Sequence, residues 1–329
     1  MKTIGSLLVA LALTAVTVAC APGPIEIRDW HDLDAIRSDL SGNYILMNDL
    51  DSGTAGYAEL AGETAHEGRG WEPIGTHDDG FNGSFDGQGH EIRDLCINRP
   101  DQDYVGLFAH ISWVGSIENF GVVENVGVVD AHVTGASQAG TLAGHNGGIV
   151  SHSYCSGSVN GYERVGGLIG WNQATLSNSY SECSVNGSAR VGGLTGDNWY
   201  YRGIVSNSYS TGRVTGLSKV GGLVGINYYG NVTHSYSVGS VAGSTQTGGL
   251  VGYNTATVSN SFWNVETSGQ ATSDGGTGKT TAQMKDIATF SGEGWNIITV
   301  ANPDIRHPDY IWNMVEGVTY PFLSWQSVS

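Results

Sequence analysis

Charge is scarce in this 329-residue chain. Asp, Glu, Lys and Arg together make up 14% of it, and Lys plus Arg number only 14. No basic run occurs, and the formal net charge is −17. Phosphate backbones are held by clustered Lys and Arg, so nucleic acid is excluded as a partner. Proline is also rare, at 7 residues, which rules out a collagen-like or Pro-rich extended chain. Missing too is any sustained apolar spacing of three and four residues, so the chain is not built from amphipathic helices. Four cysteines are too few for a disulfide scaffold. What is abundant is glycine, at 50 residues, with 15 Tyr and 9 Trp. That many rings argue against disorder.

The first 20 residues, "MKTIGSLLVALALTAVTVAC", read as an export signal: one Lys, then an apolar run too short to span a bilayer well. "TVAC" resembles a bacterial lipobox, with Thr17 in place of the usual aliphatic residue. Cys20 is therefore the candidate lipidation site and the expected start of the mature chain. Membrane association is expected only through that lipid. Of the other cysteines, Cys96, Cys155 and Cys183, at least one is left unpaired by the odd count.

The chain repeats a phrase. "VGGLIGWNQATLSNSYSECSVNG" begins at 165, and related segments begin at 139, 191, 220 and 247, with a looser copy at 105. Leu142, Leu168, Leu194, Leu223 and Leu250 align in one column. Val150, Leu176, Val205, Val232 and Val258 form a second, and Val159, Val185, Val214 and Val241 a third. Each sits in a short run of strand-forming residues punctuated by Gly and Asn. Three short strands per ~26 residues, repeated in register, describe a parallel β-solenoid, because one coil cannot bury its own apolar face. Asn146, Asn172, Asn198, Asn227 and Asn254 align at a turn, where stacked amides can hydrogen-bond along the stack. Ser153 and its equivalents align next to an aromatic column, Tyr154, Tyr180, Tyr209, Tyr236 and Phe262. Strand alternation puts the two columns on opposite faces and leaves open which is inside.

The repeated "GGLVG.N…SNSYS.G.V.G" resembles the GLUG motif, which occurs in arrays on bacterial and archaeal surface proteins and in some streptococcal immunoglobulin-A proteases. The likeness covers about 105–264. "LSGNYILMNDLDSG" before it and "GGTGKTTAQMKD" after it resemble the flanks of such arrays. The resemblance implies an all-β, right-handed parallel β-helix at the cell surface, and it implies no activity. The expected organisation is a signal over 1–20, an N-terminal cap and first strands over 21–80, a β-helix of about seven coils over 81–264, and a C-terminal cap over 265–329. Helices are expected over 29–40 and 280–290.

Few residues carry site chemistry. "GGTGKTT" lacks the first Gly of a phosphate loop, a position held by Ser273. Asp78, Asp79 and Asp86 are weak calcium candidates without the spacing of an EF-hand loop, and an Asx-rich turn explains them equally. No cofactor is expected. Within the array the acids are sparse: Glu163, Glu182 and Asp197, in different columns. Cys155 and Cys183 lie two positions out of register on neighbouring coils, with Cα atoms roughly 8 Å apart and beyond the ~7 Å a disulfide spans, so they are expected unbridged.

One feature breaks the pattern. The two longer repeats place extra residues at the same corner, "NWYYRG" (198–203) and "NYYG" (227–230). Trp171, Trp199, Tyr200, Tyr201, Tyr228, Tyr229 and Tyr253 are therefore the candidate ligand-binding residues, expected along one edge. Exposed rings suit sugar faces or a protein partner; the bland reading is that they only shield the coil edge. The function expected is a surface-displayed binding, adhesion or envelope module with an extracellular glycan or surface protein as partner. A polysaccharide lyase or glycoside hydrolase of pectate-lyase-like fold stands as the alternative.

Overall fold

The computed structural model describes residues 23–113 and 120–326. Cys20 and the expected export signal lie outside them. The chain winds as an all-β, right-handed parallel β-solenoid. One coil of the array shows the plan. Glu163–Gly166, Ile169–Asn172 and Thr175–Ser177 occupy three successive faces, and Tyr180–Ser181 with Ser184–Asn186 share the fourth. Each strand pairs in parallel with its equivalent one coil later. Val165 faces Val191, Asn172 faces Asn198, Leu176 faces Val205 and Val185 faces Val214.

Five coils carry all four faces, fewer than the seven expected. The first face has five strands, from Ser137–Ala139 to Thr245–Gly248, and the second has six. The third has nine and starts at Ile25–Ile27. The early turns thus add strands mainly to the third and fourth faces, and one, Phe108–Ile111, to the second. On the first face they contribute one isolated bridge, Val105 to Ala139.

The Leu column is fully buried, as are Val150, Leu176, Val205 and Val232. Stacking makes these columns one continuous core, which a single coil could not form. The paired glycines are a matter of space, not of backbone angle. A Cβ on Gly193 would sit 2.2 Å from the Gly222 carbonyl oxygen and 2.2 Å from Ser210 Oγ. The left-handed positions fall elsewhere. His152, Asn178, Asn207, His234 and Asn260 share φ of 47–49°, which accounts for a column of Asn and His, the residues that tolerate that region best.

The serine column points inward. Ser153, Ser179, Ser208 and Ser235 are fully buried, and each hydroxyl donates to a carbonyl two residues earlier. The aromatic column points outward: Tyr154, Tyr180, Tyr209 and Tyr236 stack with centroids 4.9 Å apart. The C-terminal segment lies along that side and buries it under Trp295, Trp312 and Phe290, a second core. The helix expected over 280–290 is split into a 3-10 turn, Gln283–Lys285, and an α-helix, Ile287–Ser291. Asp286 between them is extended and caps the second piece, accepting from the Ala288 N–H at 2.8 Å. At the other end Trp30–Ala35 is a helix capped by Asp29, and it sends Trp30 and Leu33 into the main core.

Candidate functional site

The corner between the second and third faces is held by an amide ladder. Asn146, Asn172, Asn198 and Asn227 each donate through Nδ2 to Oδ1 of the next Asn, always at 2.8 Å, ending on Asn254. The two insertions grow from this ladder. Asn198 Nδ2 also donates to the Gly203 carbonyl at 3.2 Å and so closes the base of the longer loop. The Tyr200 N–H donates to the Tyr228 carbonyl at 2.9 Å, which ties one insertion to the other. Both loops turn through left-handed tyrosines, Tyr200 at φ 82° and Tyr229 at φ 63°.

Five of the seven candidate rings meet there. Trp199 and Tyr228 are half-buried and stacked at 4.3 Å, and Tyr229 packs against Tyr228. Tyr200, Tyr201 and Tyr229 are 46%, 63% and 61% exposed. Trp171 and Tyr253 are not in this group. They lie on the second face in the column Trp171, Asp197, Ile226, Tyr253, where two non-aromatic residues interrupt any strip. Trp171 is sandwiched between His145, with centroids at 4.4 Å, and the Arg164 guanidinium at 5.0 Å.

The structure adds residues that the repeat pattern did not single out. Arg202 lies over the ring of Trp113 at 5.0 Å and over Tyr201 at 5.8 Å. Trp113 itself is 48% exposed. Between these groups and the solenoid wall is a cavity of about 190 Å³ with His110, His145 and Gln173 among its lining residues. The imidazoles of His110 and His145 stack at 4.2 Å. Burial holds the His110 pKa below the ordinary histidine value, and burial plus the neighbouring His110 holds His145 well below it. Both rings are therefore neutral at pH 7. His145 Nε2 lies 3.0 Å from Gln173 Oε1, which places the proton on Nε2. Its Nδ1 is then a lone-pair acceptor, buried and without a hydrogen-bond partner among the described residues. Among the described residues Arg202 is the one permanent charge in the lining, and no carboxylate is present there. In a chain of net charge −17 that local sign is a reversal.

Two of the three sparse acids, Glu163 and Asp197, meet at Arg190 despite their separate columns, and Glu182 does not join them. Asp197 is fully buried, 2.9 Å from Arg164 Nε and 3.1 Å from Arg190 Nη1. Arg190 Nε reaches Glu163 at 3.0 Å. Burial pushes the Asp197 carboxyl up, against the pull of the two guanidiniums. A carboxylate enclosed in this way anchors Arg164 over Trp171 and has no face toward solvent. The calcium candidates are not brought together. Asp86 accepts from the Gln88 N–H and from Asn125 Nδ2, Asp78 meets His77, and Asp79 closes a turn with Thr76. Among the described residues no three His, Cys, Asp or Glu side chains are placed to hold a metal. Lys279 of "GGTGKTT" lies in a strand paired with Phe262–Asn264, not in a phosphate loop.

The model of the GLUG motif matches residues 187–215 and 216–242, the third coil and its successor. The chain thus carries GLUG repeats. Over 156 residues, 45% of its length, it is 36% identical to halomucin of Haloquadratum walsbyi. Over 132 residues it is 32% identical to a protein of Evansella cellulosilytica provisionally named a Gly-rich membrane protein. The matched stretches are 2% and 14% of those relatives, so the GLUG chain spans a small part of each. A solved structure of a provisionally assigned immunoglobulin A1 protease from Bacteroides ovatus superposes with a TM-score of 0.63, covering 92% of this chain and 93% of that one at 19% identity. At that identity the likeness is one of fold.

Proposed function

We propose that this GLUG-repeat solenoid is a glycan-binding module displayed at the cell surface or outside the cell, and that a sugar ring seats at the insertion corner. The observation that carries the reading is the cavity between Trp113, Tyr200, Tyr201 and Arg202, three exposed rings and one cation over a neutral imidazole floor. Aromatic faces pack against the C–H face of a pyranose, and the guanidinium suits the carboxylate of an acidic sugar. Relatives named as a halomucin and a Gly-rich membrane protein support an extracellular setting. The competing reading, a polysaccharide hydrolase or lyase, would place convergent titratable groups in a cleft, two carboxylates in the case of a hydrolase. Among the described residues the corner cavity has no carboxylate in its lining.

The test is a glycan array followed by calorimetry on the full chain. Stacking contributes about 1–3 kcal/mol per ring, taking the figure for bases on aromatic side chains. Tyr200→Ala with Tyr201→Ala is therefore expected to weaken an acidic oligosaccharide at least about tenfold, since about 1.4 kcal/mol is a factor of ten. The melting temperature should hardly move, because both rings are exposed. Unchanged affinity in that double variant would refute the assignment. Cleavage of the oligosaccharide would establish the enzymatic reading instead.

A further inference from the structure

Two columns of the array each carry one cysteine, and the two cysteines meet. Cys155 follows Val128 in its column, and the next three coils carry Ser181, Ser210 and Ser237 before Trp263. In the column of Gly157, Gly212 and Gly239, the intervening coil carries Cys183, as the pairings Ser158 to Ser184, Val185 to Val214 and Val214 to Val241 require. Cysteine thus stands in one coil where the next three coils carry serine, and in the following coil where its two neighbours carry glycine. Both side chains are fully buried, and their Sγ atoms are 3.1 Å apart although the residues are 28 apart in sequence. The expected separation assumed straight strands. Here Tyr180–Ser181 and Ser184–Asn186 are separate strands on the same face, and Cys183 lies at the break between them, which brings its side chain back over Cys155. Both residues are free thiols in this structure.

We infer that Cys155 and Cys183 form an intercoil disulfide when the protein folds in the presence of a disulfide donor. Independent drift would scatter cysteines over surface and core columns; two substitutions that touch across one coil step are accounted for as a pair. The donor belongs to the class of small-molecule or protein disulfides, such as oxidised glutathione. The thiolate of one cysteine attacks the donor, forms a mixed disulfide and expels the first donor thiol. The thiolate of the other attacks that mixed disulfide, forms the Cys155–Cys183 bond and expels the second. Two protons leave the cysteines, which are oxidised by two electrons while the donor is reduced by two. Because neither sulfur is exposed in the closed stack, the exchange takes place before the two coils dock.

The full chain, refolded with oxidised glutathione, is alkylated in denaturant without reductant, digested with trypsin and analysed by mass spectrometry. Trypsin cuts at Arg164, between Cys155 and Cys183, and a second digestion with Asp-N cuts before Asp101, Asp103 and Asp130, between Cys96 and Cys155, so the bond shows as two linked peptides that separate on reduction and exclude Cys96. Cys96 is expected to be alkylated. In parallel, adding reductant should lower the melting temperature of the wild type by several degrees and leave Cys155→Ser/Cys183→Gly, which restores the array's own residues, unaffected. Alkylation of both cysteines after oxidative refolding would overturn the inference, as would a cross-link to Cys96. If the double variant does not fold, the peptide analysis of the wild type decides alone.

Discussion

Replacing Asn198 by alanine tests whether the amide ladder holds the coils together or only accompanies them. Asn198 is fully buried in the middle of the ladder. Its Oδ1 accepts from Asn172, and its Nδ2 donates to Asn227 Oδ1 and to the carbonyls of Gly203 and Asn231. After the change Asn172 keeps two carbonyl partners, those of Ala174 and Ile204. The Gly203 carbonyl keeps the Asn231 N–H. The Asn227 Oδ1 loses its side-chain donor. One stranded buried acceptor costs about 1–3 kcal/mol and a lost net hydrogen bond about 0.5–1.5 kcal/mol. With the small void that remains, Asn198→Ala should destabilise by about 3–4 kcal/mol.

Asn254→Ala at the open end is the comparison. Asn254 is half-buried and meets one neighbouring rung instead of two, so its loss should cost about 1 kcal/mol. A solenoid's stability is close to a sum of coil and coil–coil terms, so the ratio between the two sites is informative where an absolute value is less so. Urea unfolding followed by circular dichroism measures both. Equal costs at the two positions, or a cost near zero at Asn198, would show that the backbone ladders alone carry the stack. Because Asn198 also pins Gly203, its variant should weaken glycan binding beyond what Asn254→Ala does.

Two further outcomes can be checked on the same material. Val185→Asp puts an unpaired carboxylate into the third apolar column and should cost several kcal/mol; an unchanged melting temperature would show that this column is not core. His145→Phe keeps the stack on His110 and Trp171 but removes a buried imidazole whose folded pKa lies well below its unfolded value of about 6.5. Below about pH 6.5 the unfolded chain binds a proton that the folded chain refuses, so the wild type loses up to about 1.4 kcal/mol per pH unit there. The fall in melting temperature between pH 7 and pH 5 should be smaller in the variant, and an identical fall would refute the linkage.

The fold was legible because a solenoid writes its core as columns. In each coil from Leu142 to Leu250 the Asn follows the Leu by four residues, and each Leu and each Asn meets its equivalent in the next coil. The number of complete coils was less legible, because the early turns lack the glycine phrase that builds the first face. The aromatic corner was readable as insertions, but its membership was not. Trp171 and Tyr253 come just before the same turn in sequence, yet register commits them to the flat second face. Trp113, Arg202 and the stacked histidines were missed for the opposite reason. They come from loops and loose coils far apart in sequence, where no column marks them. His110 and His145 carried a faint signal, since they precede Trp171 in one column, by two coils and by one.

This division has a physical cause that bears on where function can reside. Inside the stack tolerance is small: a Cβ on Gly193 or Gly222 would come within 2.2 Å of the next coil's backbone. A substitution there disturbs two neighbouring coils at once, so the repeated phrase is held by packing alone. The corner after the Asn ladder is different, because chain inserted there leaves and returns between two amide-pinned points and need not displace a rung. The loop 199–203 does this, with Asn198 holding its far end through Gly203. Specific chemistry can therefore accumulate at that corner without loss of register. An insertion that left the aromatic corner for the first face would have to separate the Val191 and Val220 rungs, at the expense of the buried core beneath them.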